Sequence, residues 1–146
     1  GKRQLDPAYV ASLEAEIDRL DLRRAVVFAG WFANDDMPAL YALADVVLSV
    51  PNSDSRPSSV FEAMACGAPV VVSDLAALRE IVEQRETGLL APVDDAEATA
   101  SAVLELLEND ALRRHVVARS LDFVRSHGDY AAQMAKVAAC YAELLY

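Results

Sequence analysis

A parallel α/β fold with helices on both faces of its sheet is what this sequence predicts, and three observations carry that expectation. Short apolar runs alternate with stretches of helical periodicity along the whole chain. The runs are continuously apolar rather than alternating with polar residues, as in Ala25-Val-Val-Phe-Ala-Gly30 and Pro69-Val-Val-Val-Ser73. Strands of that kind are buried on both faces, which requires helices above and below them. The 146 residues are one domain's worth of chain, without a repeat, low-complexity tract or linker.

Each element has its own justification. Pro7 to Leu20 places Val10, Leu13, Ile17 and Leu20 at helical spacing. Ala25–Gly30 is a short apolar run ended by glycine, hence a strand. Asp35 or Asp36 caps a helix carrying Met37, Leu40, Tyr41 and Leu43. Asp45-Val-Val-Leu-Ser-Val-Pro51 is a second strand, stopped by its proline. Pro57 and the serines after it open a helix over Ser59–Cys66, which Gly67 closes. Pro69–Ser73 is the third strand. Leu75–Glu83 is a helix with Leu78, Ile81 and Val82 on one face, and Gly88–Ala91 is a fourth short strand. Three helices follow: Ala96–Leu107, Ala111–Ser126 and Tyr130–Leu145.

Composition limits the function classes. A net charge of −10 disfavours a nucleic-acid polymer or an anionic membrane as partner, because both need basic surface. It leaves room for a single nucleotide held by backbone N–H groups at a helix N-terminus. No apolar run reaches membrane-spanning length, and the first residues lack the apolar stretch of a secretory signal. Cys66 and Cys140 have neither metal-ligand nor redox spacing, so they are expected as buried thiols in a reducing, cytoplasmic setting.

In open α/β sheets the ligand lies at the carboxyl ends of the strands. Those ends are Gly30-Trp31-Phe32, Val50-Pro-Asn-Ser-Asp54 and Ser73-Asp74-Leu75. In the loop Asn52–Ser59, Ser58 or Ser59 suits the N-cap, and the free N–H groups behind it suit an anion. Glu62 lies about one turn into that helix among small and apolar residues. A carboxylate buried there would need partners. It is either a capping-box partner of Ser59 or a ligand contact, and the local sequence leaves both open. His115 and His127, far along the chain, read as surface or packing residues. Asp94-Asp95 and Asn34-Asp35-Asp36 read as helix caps. There is no metal-ligand set, no serine–histidine–aspartate set and no Gly-x-Gly-x-x-Gly loop.

The segment Asp54–Asp74 resembles the donor-binding half of glycosyltransferase family four, the retaining enzymes of the two-domain GT-B fold (glycosyl transferases group 1). That family carries an acid, seven residues, Glu, and then Ala-Met-Ala-x-Gly-x-Pro-Val-Val. Here Asp54 is followed by seven residues and by Glu62-Ala-Met-Ala-Cys-Gly67-Ala-Pro69-Val-Val. Val26–Gly30, Met37–Pro51 and Glu80–Asp95 look like further parts of the family's pattern, so the likeness covers nearly the whole chain.

The resemblance implies a Rossmann-like nucleotide-sugar-binding domain over residues 1–146. It also implies that the first two strands of that domain, and the acceptor-binding N-terminal domain, lie outside this chain. Transfer of a sugar with its anomeric configuration kept would follow, without a tightly bound cofactor or metal, and this chain alone is expected not to transfer. Glu62 would meet the donor's ribose hydroxyls and Asp54 the transferred sugar, as the catalytic pair. Arg56, Pro57, Ser58, Ser59 and Val60 would surround the diphosphate, and Gly30, Trp31 and Phe32 the nucleobase. Three positions depart from the pattern: Asp54 is shorter than the usual Glu, Arg56 replaces an apolar residue, and Ala76-Ala77 replaces Gly-Gly. A scaffold domain without catalysis, and a related nucleotide-sugar enzyme such as an epimerase, are the alternatives. The acceptor, and any docking of the parent enzyme on a membrane, are not fixed by these residues.

Overall fold

The computed structural model describes residues 6–55 and 57–145, without the side chains of Tyr130, Leu144 and Leu145. The chain divides into two units, the first ending at Phe32 and the second beginning at Ala33. In the first, helix α1 spans Pro7–Arg19 and starts on Asp6, whose carboxylate accepts from Ala8 N–H at 2.9 Å. It ends in a left-handed turn at Asp21 (φ 55°). There the N–H of Leu22 reaches Ile17 O at 2.9 Å and that of Asp21 reaches Asp18 O at 3.1 Å. Val10, Leu13 and Ile17 are half-buried, as their spacing predicts.

The rest of this unit corrects the sequence reading. Ala25–Gly30 is not a strand. A strand exists only through pairing with a neighbouring strand, and among the described residues this run has none; the N–H groups of Ala25 and Val26 turn back to Leu22 O instead. Its side chains are exposed, Val27 by 82% and Phe28 by 56%.

The second unit holds three parallel strands in the order β1-β2-β3: Val47–Ser49, Val70–Ser73 and Leu89–Ala91. Val47, Leu48 and Ser49 stand opposite Val70, Val71 and Val72, while Val71, Val72 and Ser73 stand opposite Leu89, Leu90 and Ala91. The central strand β2 is buried at every position. Its side chains divide the core. Val70 and Val72 join Tyr41, Val60, Ala63, Met64, Leu78, Ile81 and Val82. Val71 joins Leu89, Ala91, Leu106, Leu112 and Val116. The first cluster is supplied by α2 (Met37–Leu43), α3 (Ser58–Ala65) and α4 (Ala76–Arg79) with the turn after it. The second is supplied by α5 (Ala96–Glu108) and α6 (Asp110–His127). The expected double-faced parallel sheet is therefore present. Helix α7 (Tyr130–Leu145) follows, and Met134, Val137 and Tyr141 on it are exposed. Among the described residues no helix is long and apolar enough to cross a membrane.

Further readings change. The stretch after Leu75 is helical only over Ala76–Arg79, although Leu78, Ile81 and Val82 are buried as expected. The hydroxyl of Thr87 accepts from Glu83 N–H at 2.9 Å and donates to Ile81 O at 3.3 Å, which turns the chain instead of extending the helix. Asp35 and Asp36 form a 3-10 turn over Asn34–Asp36, and Asp36 makes no side-chain cap on α2. Asp36 keeps an αR backbone (φ −87°, ψ −18°) that continues the 3-10 turn, instead of the extended conformation of a capping residue. Asp95 does cap α5, through Ala98 N–H at 2.8 Å, and Asp94 takes φ 60° in the turn before it. Cys66 is half-buried beyond the end of α3 and Cys140 is exposed on α7, so neither is the fully buried thiol expected.

Geometry requires glycine at positions 67 and 88 of the sheet unit. Gly67 ends α3 at φ +76°, with its N–H on Met64 O at 3.1 Å. A Cβ on Gly88 would lie 2.7 Å from Val70 Cγ2 and 2.9 Å from Val70 O, against the central strand. Gly88→Ala is expected to destabilise the chain by about 1–3 kcal/mol. Urea unfolding monitored by circular dichroism measures this, and an unchanged midpoint would show that β2 and β3 separate easily.

Candidate functional site

The carboxyl ends of the strands are tied together before any ligand arrives. Ser73, the last residue of β2, is 1% exposed, and its hydroxyl donates to Pro51 O at 2.7 Å. That bond anchors the start of the loop that leads to α3. Asp74 follows, with its N–H on Ala91 O at 2.7 Å. Its carboxylate accepts both Nε and Nη2 of Arg79, the latter at 2.8 Å. The Arg79 guanidinium holds the Asp74 carboxyl below the usual carboxylate range.

The loop and α3 carry the residues singled out from the sequence. Asp54 is exposed, and its Oδ1 accepts from Ser55 N–H at 2.7 Å. Arg56 lies outside the described residues. Pro57 occupies the N-cap in an extended conformation (φ −67°, ψ 124°), and no side chain caps the helix. This corrects the expectation that Ser58 or Ser59 would cap. With the proline at the cap, both serines fall inside the first turn, where they are exposed. The N–H of Val60 bonds Pro57 O at 3.3 Å, whereas those of Ser58 and Ser59 meet no acceptor among the described residues. Two backbone donors therefore stay open at the positive end of the helix dipole.

Glu62 forms no capping box. It is exposed rather than buried, and its Oε2 accepts from the Tyr41 hydroxyl at 3.4 Å. Exposure is what the 3.6-residue period allows: Val60, Ala63 and Met64 take the core face of α3, and Glu62 falls beside it. Burial, with Glu62 nearby, pushes the Tyr41 hydroxyl above its ordinary value, so it remains a donor to the carboxylate.

Glu62 and Ser58 line an open cleft of about 570 Å³ together with Phe61, Val124, His127 and Gln133. His127 is exposed and stacks on Phe123, as a surface or packing residue does, and it also lines this cleft. It lies 65 positions after Glu62, yet α6 packs along α3 and brings its last turn to that cleft. No local motif marks it; the helical period that sets Leu112, Val116 and Ser120 on the buried side of α6 was the available signal. His115 is elsewhere, 3.2 Å from Glu86, which also accepts from Arg119 at 3.2 Å. Gly30 (φ 76°), Trp31 and Phe32 belong to the first unit, where Trp31 is 81% exposed. A second groove, of about 730 Å³, runs beside Leu48, Val50 and Leu104 and is lined by the carboxylates of Asp94 and Asp95, which suits an anion poorly.

A parallel sheet with helices on both faces matches the C-terminal domain of GT-B glycosyltransferases. The chain belongs to the glycosyl transferases group 1 family, whose model matches residues 1–109. It is 47% identical over 66 residues to phosphatidyl-myo-inositol mannosyltransferase of Mycobacterium leprae, covering 45% of this chain and 18% of that protein. It is 30% identical over 119 residues to chitobiosyldiphosphodolichol beta-mannosyltransferase of Candida albicans, covering 77% and 26%. Among solved structures it superposes on HepE of Anabaena in complex with UDP and glucose with a TM-score of 0.86. The identity is 25%, and the match covers 93% of this chain and 37% of that one. Sucrose-phosphate synthase of Thermosynechococcus elongatus gives a TM-score of 0.83 at 28% identity, covering 99% and 36%. The chain thus spans about a fifth to a quarter of the curated relatives just named.

Because the Asp74 carboxyl titrates below its ordinary value, the pairing with Arg79 contributes fully above the ordinary value and is lost as pH falls from there through the lowered one. Arg79→Ala should lower the melting midpoint at pH 7, and the gap from wild type should close as pH drops below about 4. Calorimetry at both pH values measures the gap, and one that persists at low pH would contradict the assignment.

Proposed function

We propose that the chain is the donor-binding portion of a retaining glycosyltransferase that uses a nucleoside-diphosphate sugar. One observation carries the reading. In a member of this family, the Glu62 carboxylate stands exposed one turn behind the open N–H groups of Ser58 and Ser59. Those donors and the helix dipole fit a diphosphate without a basic patch. That matters on a chain of net charge −10. Glu62 fits the ribose hydroxyls, and Asp54 the hydroxyls of the transferred sugar. Val60 contributes less than its neighbours, since its N–H already meets Pro57 O. In the reaction the bond from the anomeric carbon to the diphosphate oxygen breaks, a bond to an acceptor oxygen forms, and the nucleoside diphosphate leaves. UDP and glucose are the molecules bound by the Anabaena neighbour, which supports a nucleotide sugar of some kind here. Gly30, Trp31 and Phe32 are proposed for the nucleobase, and Arg56 and Pro57 for the diphosphate edge.

A thermal unfolding scan with UDP, GDP, ADP and NAD at millimolar concentration tests this. One nucleoside diphosphate should raise the midpoint, equivalent to about 2.7 kcal/mol at a hundred times its dissociation constant, and NAD should not. A response to NAD alone would point to a dinucleotide enzyme instead.

Glu62→Ala should leave stability within about 0.5 kcal/mol, as an exposed substitution does. It should weaken the nucleoside diphosphate at least tenfold, the order expected for losing hydrogen bonds to a charged group. Calorimetric titration reads the affinity, and retained binding would remove Glu62 from the site.

A further inference from the structure

We propose that His127 is a second hydroxyl-accepting contact of this cleft, taking a sugar hydroxyl of the same ligand that Glu62 holds; this rests on the donor-site reading above. The ring is held from two directions. It stacks on Phe123 with centroids 4.3 Å apart at 17°, and Phe123 stacks in turn on Phe61 at 6.0 Å and 30°. Its Nδ1 lies 3.0 Å from Phe123 O and 2.8 Å from Ser126 Oγ.

The Phe123 carbonyl favours one tautomer. The Ser126 hydroxyl has carbonyl acceptors of its own, Phe123 O at 2.9 Å and Asp122 O at 3.0 Å, and can accept from Nδ1. A carbonyl only accepts, so Nδ1 carries the hydrogen that reaches Phe123 O. In the neutral ring Nε2 is then a bare acceptor, and it has no partner among the described residues. Glu62, on the same cleft, is acceptor-only as a carboxylate. The cleft is therefore sorted by polarity. Ser58, which also lines the cleft, opens α3, whose first N–H groups suit phosphate oxygens. Acceptors stand at Glu62 and His127, beside the Phe61 ring. Two acceptors beside an aromatic wall suit a polyol, whose hydroxyls donate and whose C–H faces rest on the ring, and they repel a second phosphate. The hydroxyls belong to the ribose or to the transferred hexose.

Calorimetric titration of the full-length protein at pH 8 separates the two sources. The probes are UDP and GDP, which carry only ribose, UDP-glucose and GDP-mannose, which add a hexose, and inorganic pyrophosphate, which has no hydroxyl donor of this kind. His127→Phe keeps the stacking and removes the acceptor. His127→Leu repeats the removal without a ring, so a folding failure of one leaves the other. His127→Gln restores an amide oxygen at a similar reach. Loss of the acceptor should weaken a nucleotide ligand roughly tenfold, the order of one hydrogen bond, with the Gln variant within about threefold of wild type and pyrophosphate unchanged. Weakening of UDP or GDP assigns the ribose, and weakening confined to the sugar nucleotides assigns the hexose. The proposal is overturned if the Phe and Leu variants bind every probe as wild type does, if the Gln variant loses as much as they do, or if pyrophosphate weakens equally. Nucleotide binding lost in Glu62→Gln but kept in His127→Phe would sink the histidine contact and leave the donor site standing. A wild-type protein that binds no nucleotide would sink both.

Discussion

The second unit depends on one constraint, the complete burial of the central strand Val70–Ser73 between two parallel neighbours. A buried parallel strand needs apolar cover on both faces, and its alternating side chains assign that cover. Val70 and Val72 call for α3, while Val71 calls for α5 and α6. Gly88 can bring β3 this close only because it has no Cβ to meet Val70. At the strand's end, a serine replaces valine where the chain leaves the core, and its hydroxyl closes onto Pro51 O. The same element thus sets the packing and fixes the start of the loop that carries the candidate site.

An acidic chain can still hold an anion because the charge that matters is local. Its net charge is −10, yet the open N–H groups at the start of α3 present partial positive charge where a diphosphate would sit. Proline at the cap makes this possible. A serine or aspartate in that position would satisfy one of those N–H groups internally, for a more stable helix and a poorer anion site. The sequence suggested a capped helix and a phosphate site together. The structure shows no side-chain cap, and among the described residues the first two N–H groups of α3 meet no acceptor.

Much of the fold was legible because it rests on period and punctuation. The runs of valine before Pro51 and after Pro69, the Gly67 stop and the Asp95 cap all act within a few residues. What failed depended on distant partners or on one competing bond. Ala25–Gly30 has a strand's composition, but composition supplies no neighbour. The helix after Leu75 is cut short by the Thr87 hydroxyl, ten or so residues on. Asp36 has a capping side chain, but its backbone continues the 3-10 turn in the αR region, where it makes no cap. Within the site, Asp54, Ser58, Ser59 and Glu62 were visible as one continuous motif. His127 was not, because it arrives by the packing of α6 on α3.

Helix α3 explains why its core face and its site face cannot change independently. Eight residues make little more than two turns. Val60, Ala63 and Met64 point into the core, which leaves Ser58, Phe61, Glu62 and Ala65 for the cleft. Inserting or deleting one residue would rotate the helix by about 100°. That would drive the Glu62 carboxylate toward the sheet and bring Met64 out into water. The seven-residue spacing from Asp54 to Glu62 is thus partly a packing requirement. The loop must reach Pro57 at the phase that buries Met64, and the exposed carboxylate follows from that phase. The small alanine at 63 serves the same end, since α3 packs on β2 and on α6. The polar chemistry of the cleft is therefore set by apolar contacts that never touch it.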